Sequence, residues 1–209
     1  MTTATATRII RATIEHDPDA ESPRSWDNLG TFVGFEHRRY EIGDRHPTDG
    51  ERTALELGGW AGLERHLQRQ HGAILIVPVG MIDHSGTAYY LGGGAHWSDS
   101  AGWDSGTCGF IYSAGESGVP DLRAALASEL ETYTAWANGD TWFYSIDVRT
   151  LCPQCERADV TPSDCPHCDV ESVDSCGGFY GMDPDANGMI DQAGDEYADA
   201  LRDAYNRYR

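Results

Sequence analysis

A chain of 209 residues, 40 % hydrophobic and 10 % aromatic with six tryptophans, can bury roughly 70 % of its unfolded surface, which excludes wholesale disorder. Its 34 acidic residues face 15 basic ones for a formal net charge of -19, so it lacks the basic footprint that displaces counterions from phosphate, and nucleic-acid binding is not expected. All 15 cations are arginine; the absence of lysine beside an Asp-rich surface points to molar salt, where the Debye length is about 3 Å and self-repulsion is screened, with GC-rich codon bias as the competing explanation.

Residues 1–11 are rich in Thr and Ala with no apolar run of signal-peptide length, and no stretch approaches the ~20 apolar residues of a membrane span. The β-branched run at 7–14 predicts a first strand, a polar loop with Pro18, Pro23 and Gly30 follows, and residues 31–36 predict a second strand. Leu55, Leu63 and Leu67 mark one face of a helix over 54–70, weakened in its first half by Gly58, Gly59 and Gly62. The continuously apolar run 73–79 predicts a central strand that ends or bulges at Pro78. Strands at 87–91 and 108–113 follow, separated by a loop rich in Gly, Trp and Asp. Pro120 and Asp121 open the clearest helix, with Leu122, Leu126, Leu130 and Tyr133 on one stripe until Asn138-Gly139 stops it. Residues 141–149 and 170–175 read as antiparallel partners, and an acidic helix over 193–208 closes the chain.

Between those last two strands stand Cys152-Pro-Gln-Cys155 and Cys165-Pro-His-Cys168. Each C-x-x-C pair forms a knuckle that puts two thiolates on one side, and two facing knuckles make a tetrahedral S₄ zinc site. A redox C-x-x-C would be a single pair opening a helix, and two disulfides would need an oxidising compartment. Four thiolates leave the ion no open position, so the expected zinc is structural and closes a hairpin connection with few apolar residues of its own. His167 is a neighbour that such a site does not need. Cys108 and Cys176 read as small buried apolar residues.

The segment Asp183-Pro-Asp185-Ala-Asn187-Gly188-Met189-Ile190-Asp191 matches the first nine positions of a calcium loop, but Gly194 stands where the twelfth should be a bidentate carboxylate, which makes calcium the lesser reading. Polar and aromatic residues also gather in Trp26-Asp27-Asn28-Leu29-Gly30, His37-Arg38-Arg39-Tyr40, Asp83-His84-Ser85-Gly86 and Trp103-Asp104-Ser105-Gly106. His37, Asp83, His84 and Asp104 are the candidates for acid/base or metal-assisted chemistry if the fold brings them together; Trp26, Asp27, Asn28, Arg38, Arg39, Tyr40, Trp103 and Ser105 are candidates for a binding surface. Ordinary turn chemistry explains Asx and Ser beside Gly equally well. No P-loop, nucleophile elbow, H-E-x-x-H or dinucleotide fingerprint occurs.

These blocks, taken in order with Ser22-Pro23-Arg24-Ser25, Gly43-Asp44, Gly109-Phe110-Ile111-Tyr112 and Asp174-Ser175-Cys176-Gly177-Gly178-Phe179-Tyr180-Gly181, resemble a family of small proteins encoded by tailed viruses and proviruses. The resemblance covers most of residues 22–181 and implies a viral accessory role without a settled activity. It also implies that the segment after Gly181 is an inherited turn, and that the cysteine segment departs from shorter members that join the two strands by a plain turn.

The expectation is therefore a single α+β domain over 1–209, with a mainly antiparallel sheet packed by two or three helices and a zinc knuckle inserted at 150–169. Its expected role is to bind a host or viral protein partner, with countering host defence as one form of that role, in the salt-rich cytoplasm of a haloarchaeal host. A hydrolase or nucleotide-processing enzyme and a minor virion component are the alternatives, and the oligomeric state stays open.

Overall fold

The computed structural model describes residues 7–39, 41–99, 101–114, 118–158, 165 and 167–208. The fold is α+β, as expected, but where one sheet was expected there are two antiparallel sheets, and the chain divides into two compact units, 21–138 and 1–20 with 139–209. The sequence pattern identifies strands but cannot tell that the first strand leaves its neighbours in the chain to pair with the sixth.

The unit formed by 21–138 holds a four-stranded sheet with β2 (Thr31–Gly34), β3 (Ala73–Asp83), β4 (Thr87–Leu91) and β5 (Ser105–Ala114) in the order β2-β5-β3-β4. The apolar run that begins at Ala73 is an interior strand, paired with β5 on one side and β4 on the other. Pro78 does not end it. The pairing with β5 instead shifts between Val79 and Gly80, a bulge of the kind a missing ladder donor tolerates. Helix α1 (Asp49–His71) places Leu63 and Leu67 against Val33, Phe110 and Tyr112 on one face of the sheet. Helix α2 (Leu122–Ala137) places Leu126, Leu130 and Tyr133 against Phe32, Val77, Val79 and Ile111 on the other. Alternating residues of one strand thus feed two cores, as a strand covered on both faces requires.

Helix α1 begins earlier than leucine spacing suggests, because Thr48 and Glu51 form a capping box. It is also broken: Gly59 has φ 55 and ψ -157, a conformation open only to glycine, and the two halves fold back on each other so that Gly62 lies on the carbonyl of Ala54 and Gly50 on the ring of His66. The glycines that weaken the predicted helix are the ones that make a helical hairpin.

In the other unit β1 (Arg8–His16), β6 (Thr141–Thr150) and β7 (Asp169–Tyr180) pair in the order β1-β6-β7. Strand β7 runs past its predicted end because Gly177-Gly178 is absorbed as a bulge, with Gly178 at φ 83, before Phe179 and Tyr180 pair with Trp142 and Thr141. The closing helix is split at Gly194, φ 102, into α4 (Met189–Ala193), a 3-10 turn at Asp195–Tyr197 and α5 (Ala198–Tyr208). Met189, Leu201 and Ala204 close over Ala12, Ile14, Trp142, Tyr144 and Ile146. Helix α3 (Pro153–Ala158) starts the β6–β7 connection, which leaves the ladder at Thr150 and rejoins it at Asp169.

No helix among the described residues is long and apolar enough to cross a membrane.

Candidate functional site

Two sites emerge, one in each unit. In the β6–β7 connection, Cys152 precedes α3 and Cys155 lies in its first turn, while Cys165 and Cys168 form a second turn closed by the Cys168 amide donating to the Cys165 carbonyl. One ligand atom from each of the four cysteines lies within 4.8 Å of all the others. Cys152 Sγ is 3.9 Å from Cys165 Sγ, and a tetrahedron with metal–sulfur bonds of about 2.3 Å has edges of roughly 3.8 Å. The donor set therefore fits a metal ion. The group has the two-knuckle arrangement expected from its spacing, and His167 is outside it. Residues 159–164 and 166 of the predicted insertion lie outside the described residues.

The electrostatics of that site differ from one thiol to the next. The Cys155 amide, pointed at the Cys152 sulfur, pulls the Cys152 thiol down to about 6, while burial pushes the Cys155 thiol up. The Cys152 amide also donates to Cys168 Sγ at 3.4 Å. Outside the cluster, Glu156 of α3 accepts from the Thr7 amide and hydroxyl at 3.0 and 2.7 Å, which ties the knuckle to the residue before β1. Thr7 is a partner that spacing alone cannot reveal.

In the other unit, the loop after β2, the end of β3 and the loop before β5 meet at a cleft of about 350 Å³. Its floor is apolar, with Phe35, Ile42, Met81 and Cys108, and its rim carries Glu36, His37, Asp83, Trp103 and Asp104. Three of the four residues proposed for chemistry, His37, Asp83 and Asp104, thus share one cleft. The fourth joins them from the rim, His84 Nδ1 standing 2.9 Å from Asp104 Oδ2, and Arg39 reaches Asp83 at 3.7 Å. The His37 ring nitrogen accepts from the Arg39 amide. These four do not form a metal-ligand cluster among the described residues.

The loop bearing Trp103 is anchored by Asp99, whose carboxylate accepts from the Asp104 and Trp103 amides at 2.9 and 3.2 Å and from the Ser105 hydroxyl at 2.8 Å. The Asp104 amide is the main reason its acidity is increased. So anchored, the loop holds Trp97 and Trp103 out in solvent, 87 % and 85 % exposed. The sequence reading passed over Trp97 and Asp99; a tryptophan in a Gly- and Asp-rich loop far from any apolar period was the available signal. Cys108 reaches the floor because the bulge at Val79/Gly80 turns it off the ladder, and burial pushes its thiol up to about 12.

The Trp26-Asp27-Asn28 block does not line this cleft. Asn28 donates to the carbonyls of Pro23 and Trp26, the turn chemistry that competed with a binding role. The chemistry-bearing residue nearby is Arg24, missed by the sequence reading: its buried guanidinium makes a bidentate pair with Asp44 at 2.7 Å and bonds Glu129 of α2 at 3.0 Å. Arg38 is exposed, and Tyr40 lies outside the described residues.

The calcium-like loop is otherwise engaged. Asp185 pairs with Arg202 at 2.6 Å, and the Asn187 side chain bonds the Gly181 carbonyl and the Met189 amide. Two of the oxygen donors that a calcium ion would need therefore already serve a turn and an ion pair.

No protein-family model, no curated protein and no solved structure matches this chain.

Proposed function

We propose that this chain is a non-enzymatic, virus-encoded accessory protein that engages a protein partner through the cleft and tryptophan loop of its 21–138 unit, and whose other unit is braced by one structural zinc ion. The observation that carries the binding reading is the convergence of loops distant in sequence on one cleft, beside two tryptophans that a dedicated carboxylate anchor keeps exposed. Exposed aromatic rings at a concave rim are what interface hot spots are made of. The zinc reading rests on the all-thiolate donor set, which saturates a tetrahedral ion and leaves no position for water.

The hydrolase alternative draws on the His84–Asp104 pair. Against it, the nucleophiles at the cleft are not activated: burial keeps Cys108 protonated, the Ser105 hydroxyl is committed to Asp99, and Thr107 Oγ1 accepts from the Gly94 amide. The viral origin rests on the motif resemblance, and the salt-rich haloarchaeal cytoplasm on the lysine-free acidic composition. Packaging in the virion remains the alternative destination.

The test is affinity purification from infected cells at native salt, comparing the wild type with a Trp97→Ala/Trp103→Ala variant. Loss of the captured partner in the variant is expected. Equal capture by both proteins would overturn the reading.

A further inference from the structure

The cleft beside Trp103 selects among partners by its chemistry. Phe35, Ile42 and Met81 give it an apolar floor, and every permanently charged side chain that lines it, Glu36, Asp83 and Asp104, is a carboxylate. An anionic ligand would meet three like charges there. A purely apolar anchor would desolvate those carboxylates and give them nothing in return. The arginines that reach them sit at the surface: Arg39 stands 3.7 Å from Asp83 with its side chain 76 % exposed and Arg52 3.3 Å from Glu36, while the His84 ring bonds Asp104 at the open rim. Exposed pairs of this kind contribute little and exchange readily.

We infer that the cleft receives an arginine side chain from the partner, an assignment that rests on the partner-binding reading above. The aliphatic stem lies on the apolar floor, the planar guanidinium donates to Asp83 and Asp104, and its face stacks on the Trp103 indole. Lysine fits less well, because a compact ammonium cannot address two carboxylates and a ring face together in a fixed geometry. Molar salt strengthens the case for contact recognition: with a Debye length of about 3 Å the net charge cannot steer a partner from afar, whereas hydrogen-bonded ion pairs, ring stacking and apolar burial act at contact.

The experiment titrates the full-length, isotope-labelled protein in molar KCl with N-acetyl-arginine methylamide and, in parallel, with the citrulline analogue, which keeps the shape and loses the charge. The arginine probe is expected to shift the Gly106 and Thr107 amides and the Trp103 indole in a saturable way, and the citrulline probe to bind at least about tenfold more weakly. Trp103→Ala and Asp83→Asn/Asp104→Asn should each weaken the arginine probe by a similar factor while the amide resonances of α5, in the other unit, stay in place. Equal binding of the two probes, shifts confined to other surfaces, or no saturable shift would each overturn the inference. Partner capture is scored separately: capture that needs Trp103 alongside a failed arginine probe removes only this inference, whereas a working probe with Trp103-independent capture removes the partner-binding reading and leaves the arginine site standing.

Discussion

Cys152 Sγ lies 3.9 Å from Cys165 Sγ, although thirteen positions separate them in the chain. That closeness lets one ion close the connection between β6 and β7, whose other described apolar neighbour is the partly buried Leu151. Filling the site with zinc supplies on the order of 10 kcal/mol to local folding. Native mass spectrometry should find one zinc per chain, and Cys152→Ser or Cys168→Ser should remove it and expose the amides at the Thr150–Asp169 end of the hairpin to hydrogen exchange. A folded, metal-free wild type with four titratable thiols would contradict this.

Gly59 should be the least replaceable residue of α1. At φ 55 and ψ -157 any side chain is strained, so Gly59→Ala should cost about 1–3 kcal/mol in urea unfolding at high salt. In an ordinary exposed helix the same change would stabilise by up to about 1 kcal/mol, so the sign of the effect distinguishes a helical hairpin from a continuous helix.

Arg24 neutralises two carboxylates, Asp44 and Glu129, with its own side chain 4 % exposed. Burial opposes its charge, and the bonds from Asp44 and then Glu129 more than compensate. Arg24→Ala leaves both acids uncompensated and should cost about 3–5 kcal/mol in thermal or urea unfolding. Arg24→Lys should recover only part of that, because the bidentate geometry toward Asp44 is lost.

Glu51 gives the fold an acid limit. Burial alone would raise its pKa, but the paired bonds from Arg45 and the Thr48 amide overcome that and lower it from 4.5 to about 2. A carboxylate with a depressed folded-state pKa contributes stability that is fully present above the unfolded value and is lost as pH falls toward the folded one. Unfolding free energy should therefore decline between about pH 4.5 and 2, and Glu51→Gln should be less stable at neutral pH with a shallower decline across that window.

Salt should matter to the whole molecule. With a net charge of -19, dilution from molar KCl to about 0.1 M lengthens the screening distance to about 10 Å and restores self-repulsion, so the melting temperature should fall steadily. A melting temperature independent of salt would leave codon bias as the better account of the missing lysine.

Much of this was legible in the residues themselves. Two C-x-x-C pairs announce a metal knuckle because the chemistry needs only local turns and a hairpin to bring them together. Strands such as the one containing Ile76-Val77 and a helix such as that containing Leu126 and Leu130 are equally readable, because their burial is periodic in the chain. Loop residues carry no such period. His37, Asp83, His84 and Asp104 were candidates only by residue type, and no spacing could show that they meet while Trp26 and Asn28 turn elsewhere.

By itself, then, the order of residues determined the charge, the sulfur cluster, most strands and helices and the α+β class, because each depends on composition or on neighbours a few positions away. The tertiary structure alone decided that β1 pairs with β6 across more than a hundred residues, that Gly59 folds one helix back on itself, that Arg24 finds Asp44 and Glu129, and that two loops and the end of β3 close around one cleft. Those outcomes depend on long-range pairing and on which buried charge finds a partner. Such choices are settled by packing the whole chain and leave no local mark.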